Sequence, residues 1–333
     1  MADPSVRDSS ERVVGRLAPS PTGALHLGNA RTFLLAWLSI RKQGGALILR
    51  MEDIDSPRVK PWARQATLQD LRWLGLDWDY GPDVGGPHQP YTQTERAEVY
   101  LQILNDLVTR DWVYPCICSR SEIALCASAP HESADGPIYP GTCRHRSSRD
   151  AQTLGTDQFA WRWRTDDRPI RVHDQVHGII DRSVARELGD FVVARSNGWP
   201  AYQLAVVVDD FLMQVTEVVR GDDLLSSTFR QADLLRRMDW PQPSYAHVPL
   251  IVGPDGRRLA KRHGDTRLTY FRERKISNLA MVGYLAWTCG LLESPQPIRP
   301  NDLLAALDWN RLTKSPTIFD LQRDFSVLES ISR

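Results

Sequence analysis

The sequence predicts an α/β fold with a parallel sheet that is interrupted by an insertion and followed by a helical region. Short apolar runs alternate with helical segments over the first 95 residues, and this order is typical of a parallel sheet. Between about 95 and 198 the pattern changes to cysteines, arginines and turn residues. After residue 265 the apolar spacing becomes helical again, which predicts a separate helical region.

The first strand, turn and helix form the most informative segment. Val13-Val14 indicates the end of a short apolar strand, and the prolines and glycine of Pro19–Gly23 exclude regular structure. Apolar residues recur at helical spacing from Leu27, so a helix is expected to begin near Gly28. Since a helix start presents backbone N–H groups and the positive end of its dipole, this turn predicts an anion site.

The remaining elements follow from apolar spacing and turn residues. Further strands are expected at 46–49, 205–208, 215–219 and 247–252, and helices at 62–74, 94–108, 279–292 and 302–307. The unbroken run Ala205–Val208 indicates a strand buried on both faces. Trp161, Trp163 and Phe191–Val193 predict short antiparallel strands within the interrupting segment. Residues 1–11 are polar and are expected to be disordered.

Length and charge limit the class of protein. The chain of 333 residues is long enough for two or three structural units, and its formal net charge is zero. No global basic field therefore indicates nucleic-acid binding, and the basic clusters Arg144–Arg146 and Arg272–Lys275 are typical of solvated faces. No apolar run approaches the roughly 18 residues of a membrane span, and no segment has the composition of a secretory signal. A cytoplasmic protein without membrane contact is expected.

Two distant segments carry candidate chemistry. The first is Arg16–Asn29, which brings an arginine and a histidine to the start of a helix. The second is the turn Gly253–Gly256 followed by the basic run Arg257–Gly264. A basic cluster alone is typical of a solvated turn, but together the two segments predict a clamp for phosphate groups.

These two segments resemble the H-I-G-H and K-M-S-K-S motifs of class I aminoacyl-tRNA synthetases, and specifically of the glutamyl branch. Further matches to that branch follow in order at Arg50–Asp55, Gly81–Pro87, Tyr202–Asp210 and Val219–Asp223, so that the resemblance spans roughly residues 12 to 265. It implies a Rossmann-type parallel sheet split by a zinc-containing insertion, with a C-terminal helical region. It also implies that ATP, accompanied by Mg²⁺, activates L-glutamate to glutamyl-adenylate.

The resemblance implies roles for individual residues. It implies catalytic roles for His26, Asn29 and Lys261. The same three residues, together with Gly28 and Arg258, are expected to contact ATP. The implied glutamate pocket consists of Arg16, Leu17, Ala18, Pro19, Ser20, Glu52, Tyr202 and Arg220. Its two arginines would hold the two carboxylates, because a guanidinium can bind a carboxylate bidentately, and Glu52 would receive the ammonium. Ala260 stands where the family has serine, so a somewhat slower activation is expected, not an inactive enzyme.

The resemblance also divides the chain. Residues 12–94 and 199–264 are expected to form the catalytic domain, 95–198 a zinc-containing insertion similar to an acceptor-binding domain, and 265–333 a helical region similar to the stem-contact region. About 70 residues follow Gly264, too few for the anticodon-binding domain of glutamyl-tRNA synthetases, so that domain is expected to be missing.

The chain is therefore similar to a truncated paralogue in this branch, which transfers glutamate to queuosine in the anticodon of tRNA(Asp). This implies activation that needs no tRNA, tRNA(Asp) carrying queuosine as the partner, and a monomer. Two alternatives stay open. The chain could be the catalytic fragment of an enzyme that charges tRNA(Glu), or a non-enzymatic relative that binds glutamate or RNA.

Four of the five cysteines lie between residues 116 and 143. In a cytosolic protein such a cluster indicates a metal site rather than disulfides. Cys116, Cys118, Tyr139 and Cys143 match the truncated paralogue, whose structural zinc is held by three cysteines and a tyrosine. Cys126, His131 or His145 could replace Tyr139, and a chain without metal is the remaining alternative. Residues 126–135 resemble an inserted loop, to which no role is assigned.

Overall fold

The computed structural model of the chain describes residues 12–54, 60–126, 137–155, 158–196, 198–259 and 261–333. For Pro61, residues 124–126 and Lys261 it describes the backbone only. The expected disorder of residues 1–11 falls outside the described residues. So do Ala260, His131 and most of the inserted loop 126–135.

Eleven strands and ten α-helices make up the described part of the chain. The strands are β1 Val14–Leu17, β2 Ala46–Leu49, β3 Val113–Cys116, β4 Ala160–Trp163, β5 Pro169–Asp174, β6 Gly178–Ser183, β7 Phe191–Ala194, β8 Glu217–Gly221, β9 Ser244–Val248, β10 Ile251–Val252 and β11 Thr317–Ile318. The helices are α1 Leu27–Lys42, α2 Pro61–Trp73, α3 Ala97–Thr109, α4 Arg120–Cys126, α5 Val184–Glu187, α6 Tyr202–Leu212, α7 Leu225–Arg237, α8 Leu268–Glu273, α9 Asn278–Thr288 and α10 Leu321–Ser332. Short 3₁₀ helices lie at Gln93–Arg96, Ser148–Thr153, Asp222–Leu224, Lys261–His263 and Pro300–Leu303.

The central sheet has six strands in the order β2-β1-β8-β9-β5-β6. The first five run parallel to one another, and β6 is antiparallel to β5 at the edge. Helices α1 and α7 connect neighbouring parallel strands and bury apolar faces against the sheet, as crossover connections require. The α/β fold with a parallel sheet, predicted from the alternation of strand and helix, is the fold observed.

The hairpin β5–β6 differs from the sequence-based expectation. It lies within residues 95–198, which were assigned to the insertion, yet β5 pairs with β9 of the central sheet through Asp174 and Tyr245. Ile170, Val172 and Asp174 are buried on one face while the intervening residues are exposed. A strand with one apolar face is stabilised when it continues an existing sheet, because the sheet edge supplies unpaired backbone groups. The antiparallel sheet β3-β4-β7 contains the predicted strands at Trp161, Trp163 and Phe191.

The prediction of a strand at Ala205–Val208 is wrong, because these residues form the middle of helix α6. Residues 204–210 of this helix are all buried. A short apolar run does not distinguish a buried strand from a helix that is buried on all sides, since neither has a polar face. Here the packing between α3 and α7 decides in favour of the helix.

Three smaller differences concern element boundaries. Strand β1 begins at Val14, where the apolar run was expected to end, and continues to Leu17. The segment expected as one strand at 247–252 is divided into β9 and β10 at Pro249, which has no backbone N–H to donate. The helix expected at 302–307 is only the 3₁₀ turn Pro300–Leu303.

The C-terminal helices pack against α1 and share its apolar core, which includes Leu34, Phe271 and Leu285. Buried Arg31 of α1 donates to Thr317 Oγ1 at 2.7 Å and to the carbonyl oxygen of Pro249. These contacts fix the C-terminal region to the helix that begins at the predicted anion site. Within the described residues, every helix is too short or too polar to cross a bilayer.

Candidate active site and cysteine cluster

A cleft of about 490 Å³ lies where the carboxyl ends of β1, β2, β8 and β9 meet, the usual ligand position in an open parallel sheet. Both predicted segments line it, together with Glu52, which follows β2, and residues from α6 and β8. The predicted site residues among the lining are Arg16, Ala18, Pro19, Ser20, His26, Gly28, Asn29, Glu52, Tyr202, Arg220 and Arg258. Residues separated by up to 242 positions in the sequence are thus brought to one cleft.

Leu17 is the exception among the residues predicted to contact glutamate. Its side chain is fully buried in the core and does not line the cleft. Because side chains alternate along a strand, Arg16 and Leu17 of β1 point to opposite faces of the sheet. Lys261, predicted to be catalytic, lies in the 3₁₀ helix that follows the second segment, and its side chain is outside the described part of the chain.

Arg16 of β1 and Glu52, which follows the neighbouring strand β2, bring opposite charges to the cleft. Arg16 donates from Nη1 to the carbonyl oxygen of Val219 at 3.2 Å, and its Nε lies 3.7 Å from Asp210 Oδ1. Burial lowers the pKa of Arg16, an effect that the Asp210 carboxylate opposes. Burial likewise raises the pKa of the Glu52 carboxyl, against the effect of Arg50. Both side chains therefore gain from a ligand of opposite charge.

Arg50 and Asp210 belong to the matched motifs, but sequence reasoning assigned them no role. Fully buried Arg50 donates to Glu52 Oε1 at 2.9 Å and lies 2.7 Å from Asp210 Oδ1. Burial alone would lower the pKa of Arg50, but Asp210, Glu52 and Asp209 together raise it well above its ordinary value. Asp209 is held in turn by Arg96 Nε at 2.7 Å. This ionic network fixes the Glu52 carboxylate, and charged residues beside an apolar run were the signal that could have revealed it.

Arg220 is fixed from several directions. Its Nε lies 3.2 Å from His247 Nε2, and its Nη2 donates to Thr228 Oγ1 at 2.6 Å and to Gln231 Oε1 at 2.8 Å. Its Nη1 is buried and has no hydrogen-bond partner among the described residues. A buried charged group with an unused donor is costly, so an anionic ligand in the cleft would be stabilised there. Tyr202, whose pKa burial raises, adds a phenol to the same lining.

His26 stands at the N-cap of α1, and its side chain forms no capping hydrogen bond. Its Nδ1 lies 3.0 Å from Thr266 Oγ1, and the backbone N–H of Leu27 donates to the Thr266 carbonyl at 3.0 Å. Burial lowers the pKa of His26, opposed by the nearby Asp265 carboxylate. The segment that follows the basic loop is thereby joined to the start of α1. Since the N–H groups of the first helical turn lack intrahelical partners, this end of the cleft can bind an anion.

The basic loop is closed by its own hydrogen bonds. Gly253 N–H donates to the Arg257 carbonyl at 2.8 Å, and Asp255 accepts from Arg262 Nε at 2.9 Å. The Arg257 backbone N–H, together with His263 and Arg262, lowers the pKa of Asp255. Arg258 is largely exposed and pairs with Asp223 at 2.9 Å. Its guanidinium is therefore at the cleft and paired with a carboxylate.

The side chains of Cys116, Cys118, Tyr139 and Cys143 converge in a small buried cluster. Tyr139 Oη lies 3.3 Å from Cys116 Sγ and 3.7 Å from Cys118 Sγ, and Cys118 Sγ lies 3.6 Å from Cys143 Sγ. The Cys143 backbone N–H donates to Tyr139 Oη at 2.8 Å. His145 instead places Nδ1 3.1 Å from the Thr142 carbonyl, on the exposed side of the turn.

A second, basic groove lies beside this cluster. Its lining contains five arginines and a single acidic residue, Asp166, together with Thr165 and Pro169. The arginines are Arg144, Arg164, Arg168, Arg236 and Arg237. Arg164 and Arg237 donate to backbone carbonyls and stack near aromatic rings, with no carboxylate within ion-pair distance in the described part of the chain. Of the two basic clusters seen in the sequence, Arg144 contributes to this groove, whereas Arg274 stacks on Tyr270 at 3.6 Å.

Comparison with known proteins identifies related sequences over nearly the whole chain. The family described as tRNA synthetases class I (E and Q), catalytic domain, matches residues 12–323. The chain is 49% identical over 305 residues to glutamyl-Q tRNA(Asp) synthetase of Symbiobacterium thermophilum, covering 91% of this chain and 94% of that protein. It is 48% identical over 327 residues to the protein of the same name from Rhodopirellula baltica, covering 92% and 96%.

Relatives named for tRNA charging are less similar. Glutamate–tRNA ligase 2 of Syntrophus aciditrophicus is 39% identical over 308 residues, which are 92% of this chain and 63% of that protein. Among solved structures, a glutamate tRNA ligase from Elizabethkingia meningosepticum in complex with its amino acid superimposes with a TM-score of 0.79 at 28% identity. The match covers 94% of this chain and 68% of that one.

Proposed function

Because the chain belongs to the class I tRNA synthetases for glutamate and glutamine, and among them to the glutamyl-Q tRNA(Asp) synthetases, we propose that it activates L-glutamate with ATP and transfers it to queuosine in the anticodon of tRNA(Asp). The observation that carries this proposal is the composition of the cleft. It combines two buried arginines and the Glu52 carboxylate, whose side chain is 8% exposed, with a helix start and His26. These groups complement glutamate and the phosphates of ATP.

Glutamate requires two cationic partners and one anionic partner. Arg16 and Arg220 would bind the two carboxylates, and Glu52 would accept from the ammonium; all three line the cleft. We assign Arg220 to the side-chain carboxylate. Its free Nη1 then explains why glutamine would be rejected: a neutral amide would leave a buried charge unpaired, and such losses are large.

Activation joins two anions and therefore depends on positioning and charge. An oxygen of the glutamate α-carboxylate attacks the α-phosphorus, the bond to the bridging oxygen breaks, and pyrophosphate leaves with the negative charge. His26, Gly28 and Asn29 at the start of α1 would face the phosphates, where N–H groups and the helix dipole stabilise developing charge. Lys261 and Arg258 would stabilise the departing pyrophosphate with their positive charges.

Transfer would then use a hydroxyl of the queuosine cyclopentenediol. The hydroxyl oxygen attacks the glutamyl carbonyl carbon, the bond from that carbon to the phosphate oxygen of AMP breaks, the hydroxyl proton passes to solvent, and AMP leaves as the ester bond forms. A base of a single-stranded anticodon loop can be turned outward to reach a cleft of this kind. The basic groove beside the cysteine cluster, lined by five arginines, has the positive charge that binding of an RNA phosphate backbone requires. That the enzyme acts as a cytoplasmic monomer with magnesium-bound ATP stays a prediction.

The cysteine cluster fits a structural zinc ion. Tetrahedral zinc with sulfur ligands at about 2.3 Å and an oxygen ligand at about 2.1 Å would separate its donors by about 3.6–3.8 Å. The described separations of 3.3, 3.6 and 3.7 Å lie close to that value. We propose Cys116, Cys118, Tyr139 and Cys143 as the ligands. The ion would link β3 to the turn at 139–143 and take no part in the reaction.

Zinc content tests this ligand set. Cys143→Ala is expected to lower the zinc content of the purified protein from about one ion per chain to a small fraction, and to lower its melting temperature, because structural zinc contributes directly to folding. Elemental analysis and thermal unfolding measure the two effects. Cys289→Ala is the matched control, since Cys289 is buried in the main core and donates to the Leu285 carbonyl. Equal zinc in the Cys143 variant and the parent would contradict the assignment.

Paired charging assays with labelled glutamate identify which tRNA is the substrate. We expect incorporation into tRNA(Asp) carrying queuosine, and none into queuosine-lacking tRNA(Asp) or into tRNA(Glu). Glutamate-dependent exchange of pyrophosphate into ATP should proceed without any tRNA. Charging of tRNA(Glu) would instead favour the fragment of a tRNA(Glu) synthetase, although the relatives named for that activity are less identical. Absence of exchange under all conditions would favour a non-enzymatic relative.

A further inference from the structure

The guanidinium of Arg220 is held so that one nitrogen remains for a ligand. Of its three nitrogens, Nε is directed at His247 Nε2, and Nη2 at Thr228 Oγ1 and Gln231 Oε1. Only Nη1 lacks a partner among the described residues, although it is buried. The orientation of Nη1 therefore depends on what holds Nε and Nη2.

His247 can hold Nε only in one tautomer. Its ring is fully buried, and its Nδ1 lies 2.6 Å from Asp174 Oδ2. Because a carboxylate oxygen accepts hydrogen bonds, Nδ1 carries the proton and the Nε2 lone pair faces Arg220 and the Thr228 hydroxyl, 2.7 Å away. A protonated Nε2 would instead direct an N–H at the N–H of Arg220.

Asp174 is itself immobilised by backbone donors. Its Oδ1 accepts from the N–H groups of Val176 and His177, both at 2.9 Å, and its Oδ2 accepts from the His247 N–H at 3.0 Å. The pKa of the Asp174 carboxyl is lowered: burial alone would raise it, but the His247 ring and these N–H groups prevail. Burial is the main cause that lowers the pKa of His247 to about 4, assisted by Arg220 and His177. The pair is thus a carboxylate and a neutral imidazole at neutral pH.

We propose that Asp174 and His247 are positioning residues for glutamate recognition: they fix the Arg220 guanidinium so that Nη1 meets the substrate carboxylate. This inference rests on the proposed function and deepens it. Asp174 lies on β5, in the segment that the sequence assigned to the insertion, and reaches Arg220 only because β5 pairs with β9 and β9 with β8. The hairpin therefore contributes to the amino-acid pocket without touching the substrate.

The test compares the Michaelis constants for the two small substrates in tRNA-independent pyrophosphate exchange. His247→Leu removes the acceptor for Arg220 Nε at similar volume and is expected to raise the KM for glutamate about tenfold, with the KM for ATP unchanged. His247→Gln can present its Oε1 to the same Nε and is expected to restore most of the affinity. Asp174→Asn, a smaller change, should give an intermediate increase. His173→Leu, on the exposed face of β5 next to Asp174, is the control and should have no effect.

A double-mutant cycle separates positioning from a general structural role. If His247 acts through Arg220, His247→Leu should not further lower kcat/KM for glutamate in a variant that already carries Arg220→Ala. Equal increases of both Michaelis constants, or the same loss with and without Arg220, would overturn the inference. Should His247→Leu not fold, His247→Gln and Asp174→Asn supply the same comparison. Failure of the parent protein to exchange pyrophosphate would instead contradict the proposed function.

Discussion

Arg220→Ala is expected to raise the KM for glutamate by roughly a hundredfold or more, while the KM for ATP changes less than about twofold. The variant removes a buried guanidinium that lines the cleft and whose Nη1 has no hydrogen-bond partner among the described residues. A substrate carboxylate that loses its buried cationic partner is left desolvated and unpaired, which costs about 2–5 kcal/mol. The ATP phosphates are assigned to the start of α1 and the basic loop and do not depend on this side chain.

Glutamate-dependent pyrophosphate exchange, measured at varied glutamate and varied ATP, gives both constants. Arg171→Ala is the matched control, because Arg171 is an exposed arginine of β5 whose charge is already paired with Asp181 at 2.8 Å. It should leave both constants unchanged. Comparable increases for glutamate and ATP in the Arg220 variant would show that this arginine supports the cleft as a whole and does not select the amino acid.

Lys261→Ala is expected to lower the maximal rate of the same exchange by about 10²–10³-fold, with little change in the KM for glutamate. Removal of a single group that stabilises developing charge in a transition state has an effect of this size. The lysine follows the turn Gly253–Gly256, and its 3₁₀ helix lies next to the segment whose Thr266 contacts His26. We therefore assign the Lys261 ammonium to the charge that develops on the leaving pyrophosphate.

Lys314→Ala provides the control for this variant, because Lys314 is an exposed lysine that does not line the cleft. Its rate should equal that of the parent. Full retention of exchange by the Lys261 variant would contradict the assignment of the second segment as the catalytic loop. A lower affinity for glutamate with an unchanged maximal rate would indicate a role in the amino-acid pocket instead.

The sequence predicted those parts of the fold and site that depend on local pattern. The helix start near Gly28 follows from the spacing of apolar residues and from the prolines before it, and the structure begins α1 at Leu27. Motif resemblance indicated which residues should meet, and all but Leu17 of those with described side chains line the cleft. The family and its α/β fold with a parallel sheet are confirmed by the comparisons. The zinc ligands and the catalytic roles stay predictions.

Other features could not be predicted because they depend on distant partners. The apolar run Ala205–Val208 is compatible with either a strand or a buried helix, and its neighbours in the fold decide which of the two forms. Strand β5 of the hairpin shows alternating burial, but which sheet it joins depends on the free edge of β9. Local spacing carries no information about such pairing, because residues 174 and 245 become neighbours only when the sheet forms.

The sequence by itself therefore determined the family, the α/β class with a helix start beside the first motif, and the residue types that the cleft offers. These properties depend on short-range spacing and on motifs read in order. Only the tertiary structure decided how the charges are oriented: Arg50 holds Glu52, and Asp174 with His247 holds Arg220. The physical reason is that a buried guanidinium takes its direction from the acceptors that surround it, and the fold brings those acceptors from distant parts of the chain.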